Sequence, residues 1–179
     1  GNSRPIGVVT ANADGTTPSL PKTVALGSVS TNGTQDLSFW ADYKTEKAPG
    51  RAMNIRYIYL NGGPNNGWRT WGAYDGAREI EYIKESQKLG MIPYFVWYNI
   101  PDGGESYDTN KAHINDTAYM QSYYKDWQFA LQNVSKYASD YPVGFVLEPD
   151  FLGYLMQNSN TTPDKIPAQV SAAYTSGVL

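Results

Sequence analysis

Residues 144–152 read Gly-Phe-Val-Leu-Glu-Pro-Asp-Phe-Leu, GFVLEPDFL. An apolar run with the length of a buried strand stops abruptly at Glu148, Pro149 and Asp150. Strand-rich apolar segments recur upstream as TVALGSVS from Thr23, NIRYIYLNGG from Asn54 and MIPYFVWYNI from Met91. Between them lie helical patterns. GAREIEYIKESQKLG places Ile80, Ile83 and Leu89 on one face and ends at Gly90. A longer segment, Thr117 to Ser139, repeats Met120, Tyr123, Tyr124, Trp127, Leu131 and Val134 at helical spacing, with Asn115 or Asp116 as its N-cap. Further expectations are a helix from Asp36 that ends before Pro49, a short turn or helix over FLGYLMQNS, and a last helix from about Pro163.

The rhythm of strand, polar loop and helix predicts an α/β fold with a parallel sheet. The apolar runs are those of strands buried on both faces. Long loops follow the strands and short turns precede them, which places a ligand site at the strands' carboxyl ends. About four βα units fit in the chain, against eight in a closed (β/α) TIM-like barrel, so a partial or split barrel is expected. Residues 1–22 are read as a leader or linker and 23–179 as the N-terminal part of a barrel catalytic domain. A small complete α/β sheet is the alternative.

Composition narrows the ligand. The net charge is −3, which disfavours nucleic acid, and no apolar run reaches membrane-spanning length. Aromatics make up 14% of the chain and charged residues 17%, a balance suited to neutral, hydroxyl-rich ligands whose C–H faces stack on rings. Tyrosines filling a core would give the same figures. The chain has no cysteine and one histidine, His113, so thiol chemistry, a histidine-based zinc site and a Ser-His-Asp triad have no support. LNGGPNNG lacks the lysine of a phosphate loop. No cofactor and no metal are therefore expected. Asp108, Asn110, Asn115 and Asp116 form an oxygen-rich cluster, but without EF-hand spacing. Sequons at Asn32, Asn115, Asn133 and Asn160 are compatible with the expected extracellular location.

On a strand, alternate side chains share a face, so Glu148 and Asp150 are expected to point together into a pocket, one of them with a raised pKa. A strand end with a helix-capping Asp is the plainer alternative. Trp68, Trp71, Trp97 and Tyr98 are candidate sugar-stacking residues, with Asn61 and Asn99 as polar contacts. Trp97 and Tyr98 alternate, so one of them faces the core.

The segment VLEPDFLGYLMQNS, with YFVWYNIPDGGES upstream, resembles the inverting cellulases of glycoside hydrolase family 6. The likeness covers about residues 91–179. It implies cleavage of a β-1,4-glucan, with Asp150 as proton donor and Glu148 structural or tuning. Asp102 matches the first Asp of the family's Pro-Asp loop. Where the family continues with Arg-Asp, this chain has Gly103 and Gly104, and Glu105 follows one residue later. An inverting pair stands roughly 6.5–9.5 Å apart. Asp102 or Glu105 facing Asp150 suits that separation better than Glu148 does. Expected partners are a polysaccharide or oligosaccharide substrate and the remaining part of the same barrel. A degenerate hydrolase that binds carbohydrate without turnover is the alternative. A third arrangement, with Glu148 as the acid, usually carries Asn before the Glu, where this chain has Leu147.

Overall fold

The computed structural model describes residues 24–42, 53–64 and 66–179. The expected leader and the segment between Asp42 and Met53 lie outside them. The chain is α/β, with four parallel strands in the spatial order of the sequence: β1 (Gly27–Val29), β2 (Ile55–Asn61), β3 (Ile92–Tyr98) and β4 (Gly144–Leu147). Helix α1 (Thr34–Asp42) follows β1, and α2 (Ala77–Leu89) follows β2. Helices α3 (Tyr107–Asn115) and α4 (Thr117–Tyr137) separate β3 from β4, while α5 (Phe151–Asn158) and the short α6 (Ala172–Thr175) come last.

The helices are where the periodicity puts them, and their ends have identifiable causes. Gly90 closes α2 at φ 63°, and its N–H donates to the last helical carbonyls. The Asp116 carboxylate caps α4 by accepting from Tyr119 N at 3.0 Å. The polar segment between β3 and α4, which carries no clear helical spacing, contains α3. Ser106 caps it through Thr109 N, and only Asn110 and Ile114 of this polar helix are buried. The helix expected from Pro163 is a 3-10 turn, Pro163–Lys165, and a chain that becomes helical only at Ala172. Pro167 explains the break, because it holds Ile166 extended at φ −84°, ψ 119°.

One sheet face carries the core. Ile58 and Leu60 of β2, Phe95 and Trp97 of β3 and Phe145 of β4 pack against Tyr82 and Ile83 of α2 and Ala130 and Trp127 of α4. Arg56 sits in the same layer, fully buried. Its Nε donates to Ser86 at 2.8 Å, one terminal nitrogen to Thr31 O at 3.0 Å, and its guanidinium lies 3.9 Å from the Tyr82 ring centroid. A cation so placed ties β2 and α2 to the loop after β1.

The opposite face corrects the expectation of burial on both sides for β1, β2 and β4, whereas β3 keeps Ile92 and Val96 buried there. Its residues form rows across the ladder: Val29, Tyr57, Tyr94 and Gly144; then Tyr59, Val96 and Val146; then Asn61 and Tyr98. No charged residue interrupts them. Tyr94 lies directly over Gly144, where a β-carbon would meet the ring at 2.3 Å. Tyr59 and Val146 are exposed, because α1, α2 and α4 all gather on the core side.

The two faces should respond differently to truncation. Leu60→Ala, which empties a fully buried site, is expected to cost about 2–5 kcal/mol. Tyr59→Ala, one residue earlier on the open face, is expected to cost well under half of that. Urea denaturation of both variants measures the difference.

Candidate functional site

The loops after β2, β3 and β4 gather the candidate residues at the carboxyl edge of the sheet. The strands deliver them in adjacent register, since Asn61 pairs with Tyr98 and Trp97 with Leu147.

Glu148 and Asp150 do not share a face. Strand β4 ends at Leu147, and Glu148 then turns left-handed at φ 44°, a conformation unusual for a residue with a side chain. The turn breaks the alternation that the sequence implied. Glu148 goes to the helix side and is nearly buried, 9% exposed. Its Oε1 accepts from Asn99 N at 2.9 Å, Ile100 N at 3.2 Å and the Tyr123 hydroxyl at 3.0 Å. Burial raises its pKa to about 7, against the lowering pull of those donors.

Asp150 emerges on the other side, exposed, at the N-cap position of α5 but without a capping bond. Its Oδ2 accepts from the Tyr98 hydroxyl at 3.1 Å. Tyr98 lies 3.4 Å from the Tyr154 hydroxyl, which in turn reaches Glu105 Oε2 at 3.4 Å. The loops after β3 and β4 thus bring Glu105 and Asp150 to one place through two tyrosines. Burial first, then Tyr154 and Asp150, push the Tyr98 phenol upward, so it remains a proton-bearing donor. The buried carboxyl is Glu148, and Asp150 stands in solvent.

Asp102 is exposed and lies against Gly63. A β-carbon there would come within 2.4 Å of Asp102 Oδ2, and the φ of 78° also requires glycine. Asn61 ends β2, half-buried on the open face. Asn99 is fully buried, with Nδ2 donating to Leu60 O at 3.0 Å. It therefore joins β2 to β3 rather than meeting a ligand.

The tryptophans divide. Trp68 and Trp97 are fully buried in the core, which corrects their reading as sugar platforms. Trp97 meets Trp68 and Trp127 edge to face at centroid separations of 5.8 and 4.7 Å. Strand alternation sends Trp97 inward and Tyr98 outward, one residue to each face. Trp68 follows a Gly/Asn turn, and a single 3-10 turn swings it inward to donate from Nε1 to Asp126. Trp71, three residues on, is 42% exposed. It borders an open cleft of about 420 Å³ with Tyr74, Arg78, Asn32 and Glu81. The Arg78 guanidinium is 5.3 Å from its ring centroid.

Residues the sequence did not suggest complete the picture. His113 donates from Nδ1 to Ile100 O, and the Tyr119 hydroxyl donates to Asn99 O. The two rings stack at 3.8 Å. The only sequence signal was that both lie near helix ends beside the Pro-Asp loop. Behind the Trp71 loop, Asp126 binds Arg69 and Trp68, both at 3.2 Å, and burial raises it to about 6. Glu79, fully buried nearby, accepts from Asn133 Nδ2 at 2.7 Å through one oxygen, while the other has no partner. Burial raises Glu79 to about 8. The oxygen-rich cluster is occupied with helix ends: Asn110 donates to Ser106 O, Asn115 to Lys111 O, and Asp116 caps α4. Among the described residues no group of three or more His, Asp or Glu could hold a metal ion.

Comparison with family models, curated proteins and solved structures finds no match to this chain.

Glu79 generates a stability prediction. A carboxyl raised on folding favours the folded state fully below its unfolded pKa, and that contribution disappears as pH rises through about 8. Wild-type urea midpoints at pH 5, 7 and 9 are expected to fall progressively. Glu79→Gln, which keeps an acceptor for Asn133 without the charge, is expected to flatten the fall.

Proposed function

We propose that the carboxyl edge of the sheet handles a neutral polysaccharide of the β-1,4-glucan type and that the chemistry is glycoside hydrolysis. The observation that carries this reading is the hydrogen-bonded series Asp150–Tyr98–Tyr154–Glu105, which joins two carboxyl groups from neighbouring strand ends. Asp150 is the proton donor to the leaving oxygen, the role that the resemblance to family 6 hydrolases implies. Tyr98 holds its carboxyl in place. Glu105, or Asp102 on its far side, orients the attacking water. Trp71 and Tyr74 offer exposed rings to a sugar chain at the rim.

The scaffold for this reading is a (β/α) barrel wall. Sequential parallel order, helices on one face, and uncharged rows of side chains on the other are what a barrel segment presents to its interior. Enclosure of that face by further βα units would remove water from Tyr98 and Asp150, the setting in which a carboxyl serves as general acid.

A second reading is binding without turnover. Asp150's exposure favours it, as does Gly103-Gly104 where family 6 hydrolases carry Arg-Asp.

Release of new reducing ends from soluble β-glucan separates the two. Hydrolysis is expected, and Asp150→Asn should reduce it by about 10²–10⁴-fold, the usual weight of a general acid. Retention on the glucan with no reducing ends in the wild type would select the binding reading. Trp71→Ala is expected to weaken retention on insoluble glucan while leaving the unfolding free energy from urea denaturation within about 0.5 kcal/mol of wild type, as for an exposed side chain.

A further inference from the structure

Asn99 and Ile100 leave the sheet with all four of their backbone polar groups held by side chains. Both N–H groups donate to Glu148, Asn99 O accepts from Tyr119, and Ile100 O accepts from His113. Among these partners Glu148 is distinctive. It comes from the neighbouring strand end, it is the only carboxyl, and it takes both amides on one oxygen. It also occupies the left-handed position from which the chain turns to Asp150 two residues later. Tyr98, which orients Asp150, immediately precedes Asn99 on the other side of the same clamp.

We infer that Glu148 is the positioning residue of the strand-end site: its buried carboxyl locks the exit of β3 to the exit of β4 and so fixes the meeting of Tyr98 with Asp150. It touches no reacting atom. Its action runs through the Asn99 and Ile100 amides on one side and the turn at Pro149 on the other. Tyr123 and Tyr119 from α4, His113 from α3, and Asp102 and Asp150 in the loops are the ionisable groups around this exit. The carboxylate form accepts more strongly than the protonated acid, so the clamp tightens as Glu148 ionises near neutral pH. The catalytic meaning rests on the hydrolase reading, whereas the clamp itself is measurable without substrate.

The experiment follows backbone amide exchange at Asn99 and Ile100, and the pH dependence of the Tyr98 ring carbon shifts by NMR. It compares wild type with Glu148→Ala, Glu148→Gln and Tyr123→Phe. Glu148→Ala is expected to speed exchange of both amides by about ten- to a hundredfold, the equivalent of losing charge-assisted bonds. Glu148→Gln keeps an acceptor and most of the protection. It should also abolish an inflection near pH 7 in the Tyr98 profile, where Glu148 ionises in the wild type. Tyr123→Phe removes a donor that favours the carboxylate and should move that inflection upward. If Glu148→Ala does not fold, the Gln and Phe variants alone decide. Unchanged exchange in Glu148→Ala, or a Tyr98 profile indifferent to Glu148→Gln, overturns the assignment. Should Asp150→Asn release reducing ends from glucan as fast as wild type while the Glu148 variants behave as expected, the hydrolase assignment of Asp150 fails and the clamp stands.

Discussion

The exit of β3 is the constraint on which the rim depends. A parallel strand that leaves its sheet takes backbone N–H and C=O groups out of the ladder, and buried ones need partners. At Asn99 and Ile100 those partners are side chains from β4's end and from two helices. Burying a carboxyl there is unfavourable in itself, and three donors on one oxygen offset only part of the desolvation. The result is a junction in which β3, β4, α3 and α4 are mutually fixed. The loop 101–105 and the turn at Pro149 can then present Glu105 and Asp150 to each other.

Two polar systems among the described residues are built on buried carboxyls, and they do different work. The Glu148 system joins strand ends. The Arg69–Asp126–Trp68 system, with Glu79 and Asn133 behind it, anchors the loop after β2 onto α4. Only the first leads directly to exposed groups capable of chemistry. The second holds Trp68 in the core and so sets where Trp71 can stand. Both place acids where burial raises the pKa, and structural roles account for both, so a raised pKa alone does not identify the catalytic acid here.

The one-sided sheet has a simple origin. When successive parallel strands lie side by side in chain order, every crossover helix falls on the same face. The apolar alternation of β2 and β3 supplies both faces with large residues, but only Ile58, Leu60, Phe95 and Trp97 receive helices. The rows led by Tyr57 and Tyr59 remain an uncharged aromatic surface. This geometry also governs hydration at the rim, since Tyr98 and Asp150 belong to the open side.

Local sequence determined the elements. Helical spacing marked α2 and α4, Gly90 and Asp116 ended and began them, and β-rich runs marked the strands, because these depend on residues a few positions apart. The same local rules did not show α3, whose polar surface hides a two-residue buried stripe, or the interruption at Pro167. Strand alternation foretold that Trp97 and Tyr98 would part. Tertiary structure alone decided the rest. A left-handed Glu148 sent two neighbouring acids to opposite faces, a 3-10 turn buried Trp68 but not Trp71, and His113 met Ile100 across a loop. Those outcomes are set by which backbone groups lose water in the assembled fold, a quantity that no short window of sequence contains.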